Sequence, residues 1–233
     1  MRASMVHSMS RSVSAAMVGA WIAFGAPAPA RANVITDWDA KAVAVAAPGA
    51  AGQRELAMVH VAMFDAVNSI EPRYRPYLVQ LTTPKATSQD AAAAAAAATV
   101  LAGLHPEAAG ETKAVLASYL GAIPDGVAKS DGIKLGEAIA AKVLEARAND
   151  GANAPDAYRP RTTAGVYVPT PIPLASTWPG MAPFALAKPS QFRPLPPISL
   201  ASAEWAADYN EVKDYGGKTS AKRSAQQTET ARF

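Results

Sequence analysis

The chain has 233 residues, half of them hydrophobic, with no cysteine and a formal net charge of +3. That length and apolar content support one large or two small domains with a real core, and argue against disorder of the whole chain. Without cysteine there is no disulfide, no thiolate metal site and no cysteine nucleophile, so stability must come from packing.

Residues 1–32 carry the three parts of a secretory signal. Arg2 and Arg11 give a positive start with no acid, and Val13 to Phe24 is an apolar stretch too short to span a bilayer. Ala30-Arg31-Ala32 then offers a small-x-small cleavage pattern just after Pro27 and Pro29. The expectation is an exported protein, periplasmic or secreted, whose mature form starts at Asn33 and keeps no stable membrane anchor. Arg11 has no arginine neighbour, so a twin-arginine route is not indicated. Loss of Arg2, Arg11 and Arg31 leaves the mature chain formally neutral. The basic character belongs mostly to the address segment, and no cluster of Lys and Arg points to nucleic acid.

The first predicted helix runs from Ile35 to Ala47, with Thr36 or Asp37 as cap and Pro48-Gly49 as stop. In the second, Leu56, Val59, His60, Met63, Val67 and Ile70 fall on one helical face, closed by Pro72 and Pro76. Thr87 or Ser88 caps a third, whose run Ala91 to Ala98 continues through Val100, Leu101 and Leu104 to Pro106. Alanine is the strongest helix former and the smallest apolar side chain, so this helix can be approached closely on every side. A fourth helix spans about Glu107 to Ala122 and a fifth about Val127 to Asn149, ended by Asp150-Gly151. The fifth sets Gly132, Gly136 and Ala140 four residues apart, a small stripe that admits another backbone. Short connections between these helices read as an all-α antiparallel bundle over residues 33–150.

Residues 151–201 differ in character: eleven of the nineteen prolines lie between Pro155 and Pro197, among Tyr167, Trp178, Phe184 and Phe192. Spaced aromatics favour an extended segment wrapped over the bundle rather than a spacer. Helix returns in residues 202–233, first from Ser202 to the Gly216-Gly217 stop and then from Thr219 or Ser220. The last helix shows no capping or stop signal before Phe233, which reads as a break in mid-helix.

Chemistry-bearing residues are few. After signal removal only His60 and His105 remain as histidines. His60 lies in the apolar stripe and reads as a hydrogen-bonded core residue, and His105 lies at a helix end, where a cation suits the terminal carbonyls. HExxH, Gly-x-Ser-x-Gly, P-loop and GxGxxG patterns are absent. Asp37 and Asp39 read as a solvated carboxylate pair rather than an acid–base couple.

The stretch from Arg54 to Ile70, RELAMVHVAMFDAVNSI, resembles the early helix of bacterial vanadium-dependent haloperoxidase-like proteins, within the type 2 phosphatidic-acid phosphatase superfamily. Leu104-His105-Pro106, Ile123-Pro124-Asp125-Gly126, Gly132 to Gly136, and Arg147-Ala148-x-Asp150-Gly151 fit the same order. Pro183-Phe184, Gln191 to Pro194, Asn210 to Lys213 and Gln226 to Phe233 extend it over nearly the whole mature chain. The resemblance implies enzymes that hold vanadate, or phosphate in related phosphatases, in a cage of a lysine, two arginines and a serine-glycine pair. One histidine takes the apical bond and a second acts as acid or base. Cations neutralise the oxyanion, and histidine titrates near neutrality.

The family motifs, Lys-x6-Arg-Pro, Pro-Ser-Gly-His and Arg-x5-His-x3-Asp, belong to a carboxy-terminal half that the resemblance puts beyond Phe233. It therefore implies a truncated, non-catalytic amino-terminal half, expected inactive alone, with no catalytic, cofactor-binding or metal-ligating residue and no cofactor of its own. Its expected partner is the missing catalytic half, with association between copies as a further contact. Lys188 to Arg193-Pro194 has the composition of the first motif with too short a gap and reads as chance. Arg54 and His60 match part of the third, but six residues at ~100° each leave them ~120° apart on a helix, so they do not converge on one anion. Two other readings compete: a self-sufficient secreted binding or scaffold protein, and a hydrolase using Arg54, His60 and Asp65.

Overall fold

The computed structural model describes residues 33–171 and 173–232. The signal-like stretch, its cleavage motif up to Ala32, and Phe233 lie outside the described residues. Those described are all-helical, with no strand: α1 (Val34–Val45), α2 (Ala50–Ile70), α3 (Gln89–Leu104), α4 (Ala109–Gly121), α5 (Val127–Arg147), α6 (Ala203–Tyr215) and α7 (Ala225–Arg232). Two 3-10 turns, Pro106–Ala108 and Trp178–Gly180, complete the regular structure. None of the described helices is long and apolar enough to cross a membrane. The chain divides into two compact units at Glu145/Ala146.

In the first unit α3 is the centre. All of Ala91 to Ala98 are buried, with Val100 and Leu101, so the helix is enclosed on every side. Helices α1, α2 and α4 contact it. Helix α5 reaches it through the small stripe: a Cβ on Gly132 would lie 2.6 Å from Ser88 O, and one on Gly136 would lie 2.3 Å from Ala92 O. Backbone therefore meets backbone, which only residues without side-chain bulk permit. Trp38, Met58, Met63, Leu101 and Ile139 fill the remaining core, each contributing roughly 1.5–3 kcal/mol by burial.

The helix starts show local chemistry at work. Helix α1 begins a residue earlier than its periodicity predicts because Asn33, not Thr36 or Asp37, is the cap. Asn33 Oδ1 accepts the N–H of Ile35 and Thr36, while Thr36 Oγ1 accepts that of Asn33. This reciprocal capping box satisfies donors the helix itself leaves open. Ser88 caps α3 by accepting from Ala91 N, whereas Thr87 turns inward to the Thr83 hydroxyl. Helix α4 starts only at Ala109, since Pro106–Ala108 forms a 3-10 turn, and α5 ends at Arg147 rather than Asn149.

The buried face of α2 is turned from the predicted stripe. Leu56, His60 and Val67 are only half-buried, while Met58, Ala62, Asp65 and Ser69 are buried beside Val59, Met63 and Ile70. The cause is the extended segment after the helix, whose backbone is gathered by polar side chains. Asp65 accepts from the N–H groups of Tyr77, Leu78 and Val79 at 2.8–2.9 Å. Asn68 accepts from Arg73 N and Tyr74 N and donates to Tyr74 O, and Ser69 accepts from Leu81 N. Backbone donors outside regular structure need such acceptors, so these polar residues are buried beneath the segment they hold.

The second unit has a small polar core. The Arg147 guanidinium lies 2.8 Å from the Asp150 carboxylate, donates to Ala182 O at 2.8 Å, and stacks 3.9 Å from the centroid of the Phe184 ring. Asp150 O in turn accepts from Ala182 N at 2.7 Å. Gly151 turns the chain at φ +92°, a conformation that favours glycine. Ser202 caps α6 through Trp205 N, as its sequence predicts. The last helix starts later than predicted, because Ser220 accepts from Lys222 N and Arg223 N in a turn. Ser224 is its cap, accepting from Gln227 N while Gln227 Oε1 accepts from Ser224 N.

Candidate functional site

The first unit carries an open cleft of about 670 Å³, assembled from four stretches: the start of α1, the middle of α2, the segment that follows α2, and the start of α3. A cleft of this volume suits a single small molecule. Its floor is apolar, with Val34, Ile35, Met63 and Val67. One wall is aromatic: Phe64 and Tyr74 lie with ring centroids 6.3 Å apart and planes tilted by 38°, and both rings are exposed.

Polar groups stand at the rim. At one end His60 Nε2 lies 2.8 Å from Asp39 Oδ1, with both side chains almost half exposed. His60 is thus hydrogen-bonded as its position predicts, but at the lip of a cleft and not in the core. Asp39 is consequently no partner of Asp37; two residues apart on a helix, the two carboxylates face different ways. At the other end Arg73 Nη2 donates to Glu71 Oε1 at 2.5 Å, and Gln89 Nε2 donates to Glu71 Oε2 at 3.3 Å. The Arg73 hydrogen bond, followed by that of Gln89, holds the Glu71 carboxyl below the usual range, and Glu71 in turn raises Arg73. Asp90 completes the rim from the first turn of α3. Burial pushes the phenol of Tyr119, which lies outside the cleft, up, and the charges of Asp90 and Asp37 add to it.

No family model, curated protein or solved structure matches the chain. What the cleft can do is therefore argued from its own groups. A His–Asp pair can pass a proton, but among the lining residues no serine, threonine or cysteine stands ready as a nucleophile. The hydrolase reading fails on geometry. Asp65 is fully buried and occupied by three backbone N–H groups, and five residues along α2 turn it ~140° away from His60. Among the described residues no group of three or more His, Asp or Glu side chains is placed to hold a metal ion.

His105 serves the fold. Its Nε2 lies 3.0 Å from Glu55 Oε2 and its Nδ1 3.1 Å from Glu107 Oε1, while Glu55 also accepts from Ala47 N at 2.8 Å. The ring lies between two carboxyl groups and ties the α1–α2 connection to the end of α3. Lys188 and Arg193 are exposed on successive turns, with Lys188 O accepting from Gln191 N and Ser190 O from Arg193 N. Sequence reasoning missed Phe64, Glu71, Arg73, Tyr74 and Gln89. The one available signal was Glu-x-Arg-Tyr directly after a helix, a charged and aromatic cluster at a connection.

Proposed function

We propose that this chain is an exported, non-catalytic helical half of a vanadium haloperoxidase-like or acid-phosphatase-like protein, which docks against an oxyanion-binding half. In this reading residues 33–150 are a helical bundle and residues 151–201 its covering segment. The observation that carries the proposal is the uncovered face of α6. Trp205, Tyr209 and Val212, at i, i+4 and i+7, are 38, 62 and 70 % exposed, and the helix buries no residue. An aromatic stripe at helical spacing left in solvent marks a surface built for a partner. The sequence resemblance supplies that partner's chemistry.

The purified chain should turn over neither halide with peroxide and vanadate nor a phosphate monoester. It should bind an apolar dye, with binding reduced in Trp205→Ser/Tyr209→Ser. Turnover abolished by His60→Ala, or dye binding indifferent to the double substitution, would overturn the proposal. Export belongs to the same reading, and the mass of the chain recovered from outside the cytoplasm should start at Asn33. A mass that retains Arg31 and Ala32 contradicts that cleavage position.

The cleft favours a second reading, a self-sufficient secreted binding protein, because all its lining comes from the first unit. A cooperative, monodisperse chain that binds no dye would select it.

A further inference from the structure

We propose that the cleft of the first unit binds a small amphipathic organic cation, an amine or quaternary ammonium on an apolar body. The volume and apolar floor admit one such body, and three features set the sign of its charge. First, Phe64 and Tyr74 present exposed rings, and an aromatic face attracts a cation through its negative π-cloud. Second, the charges of the lining residues do not cancel: Glu71 and Asp90 stand against Arg73, while Asp39 on His60 and Lys85 near Glu71, one of each sign, lie outside the lining. Third, the starts of α1 and α3, which would favour an anion, already have N–H groups of Ile35, Thr36 and Ala91 taken by the capping side chains of Asn33 and Ser88. Arg73 is not free to recruit an anion unopposed, because Glu71 already accepts its hydrogen bond. What remains is an apolar, aromatic-walled space with about one unit of negative charge at its edge. The carboxylate nearest the mouth of α3 would face the ligand's ammonium, and the floor its body.

This inference does not depend on the docking reading, and its test uses binding rather than turnover or dye fluorescence. The full chain is titrated calorimetrically with benzyltrimethylammonium, phenylacetate and benzyl alcohol, which share a ring and differ in charge. The cation should bind saturably, with the other two at least roughly tenfold weaker. Phe64→Leu keeps apolar volume and removes the π face, and Asp90→Asn keeps shape and removes the charge. Each should weaken the cation several-fold more than it weakens benzyl alcohol, with circular dichroism confirming that both variants keep native helix. Equal or tighter binding of phenylacetate, no saturable cation binding, or cation binding indifferent to both substitutions would overturn the assignment.

Discussion

Gly136→Ala is expected to lower stability by about 3 kcal/mol or more, the upper part of the range for overpacking a tight core. On intrinsic propensity alone the change should help, since alanine is favoured over glycine in a helix interior by ~1 kcal/mol. The site decides otherwise. The new methyl would lie 2.3 Å from Ala92 O, 2.8 Å from Ala96 N and 2.9 Å from Ala95 Cβ. None of these atoms belongs to a side chain that can swing aside, so α5 must lift from α3 along its length. For a chain of this size the loss corresponds to a fall in melting temperature of roughly 6–12 °C. Gly110→Ala is the matched control, because no heavy atom lies within 4 Å of a Cβ there. It should be neutral or stabilise by about 0.5–1 kcal/mol. If the two substitutions shift the thermal midpoint alike, the close approach of α5 to α3 is wrong.

Asp65→Ala should cost a comparable amount, about 3–5 kcal/mol, for an electrostatic reason. Its carboxylate is fully buried and takes the N–H groups of Tyr77, Leu78 and Val79. Removing it takes the acceptor from three backbone donors at once, and hydrogen bonds to a charged acceptor are among the stronger ones. Asp65→Asn offers a single acceptor oxygen and turns an NH₂ group toward other donors, so it should recover only part of the loss. The distinguishing measurement is amide hydrogen exchange. Tyr77, Leu78 and Val79 should lose protection in Asp65→Ala beyond the global change in unfolding, and equal protection in both proteins would remove Asp65 from this role.

These residues also mark where the sequence is legible. The alanine helix and the stripe at Gly132, Gly136 and Ala140 are readable because one physical requirement, absence of bulk, dictates both. Ser88 and Ser202 are readable as caps because a short acceptor precedes a helical run. Helix α2 is misread because its pattern equates buried with apolar. Asp65, Asn68 and Ser69 are buried to serve the backbone of a segment up to fourteen residues away in sequence, the separation of Asp65 and Val79. Nothing in local periodicity announces that debt. Asn33 and Ser224 displace the predicted caps because capping boxes depend on reciprocal geometry, not on residue type alone. The cleft was illegible for a related reason. Periodicity tells which face of a helix is apolar, but not that the ends of α1 and α3 will meet the middle of α2. His60 could be read as hydrogen-bonded, whereas Asp39, twenty-one residues earlier, could not be named as its partner.

The enclosed alanine helix has a consequence for how this protein can drift. An alanine side chain has no rotamer to lose on folding and none with which to accommodate a change. Around it, Met58 and Met63 on α2 have flexible side chains that can refill irregular space. Mutational tolerance should therefore be lopsided across one interface. The α2 side can exchange one medium-sized apolar residue for another, while the α3 side admits little larger than a methyl group, so the low-complexity run is the part of the sequence with the least freedom to vary.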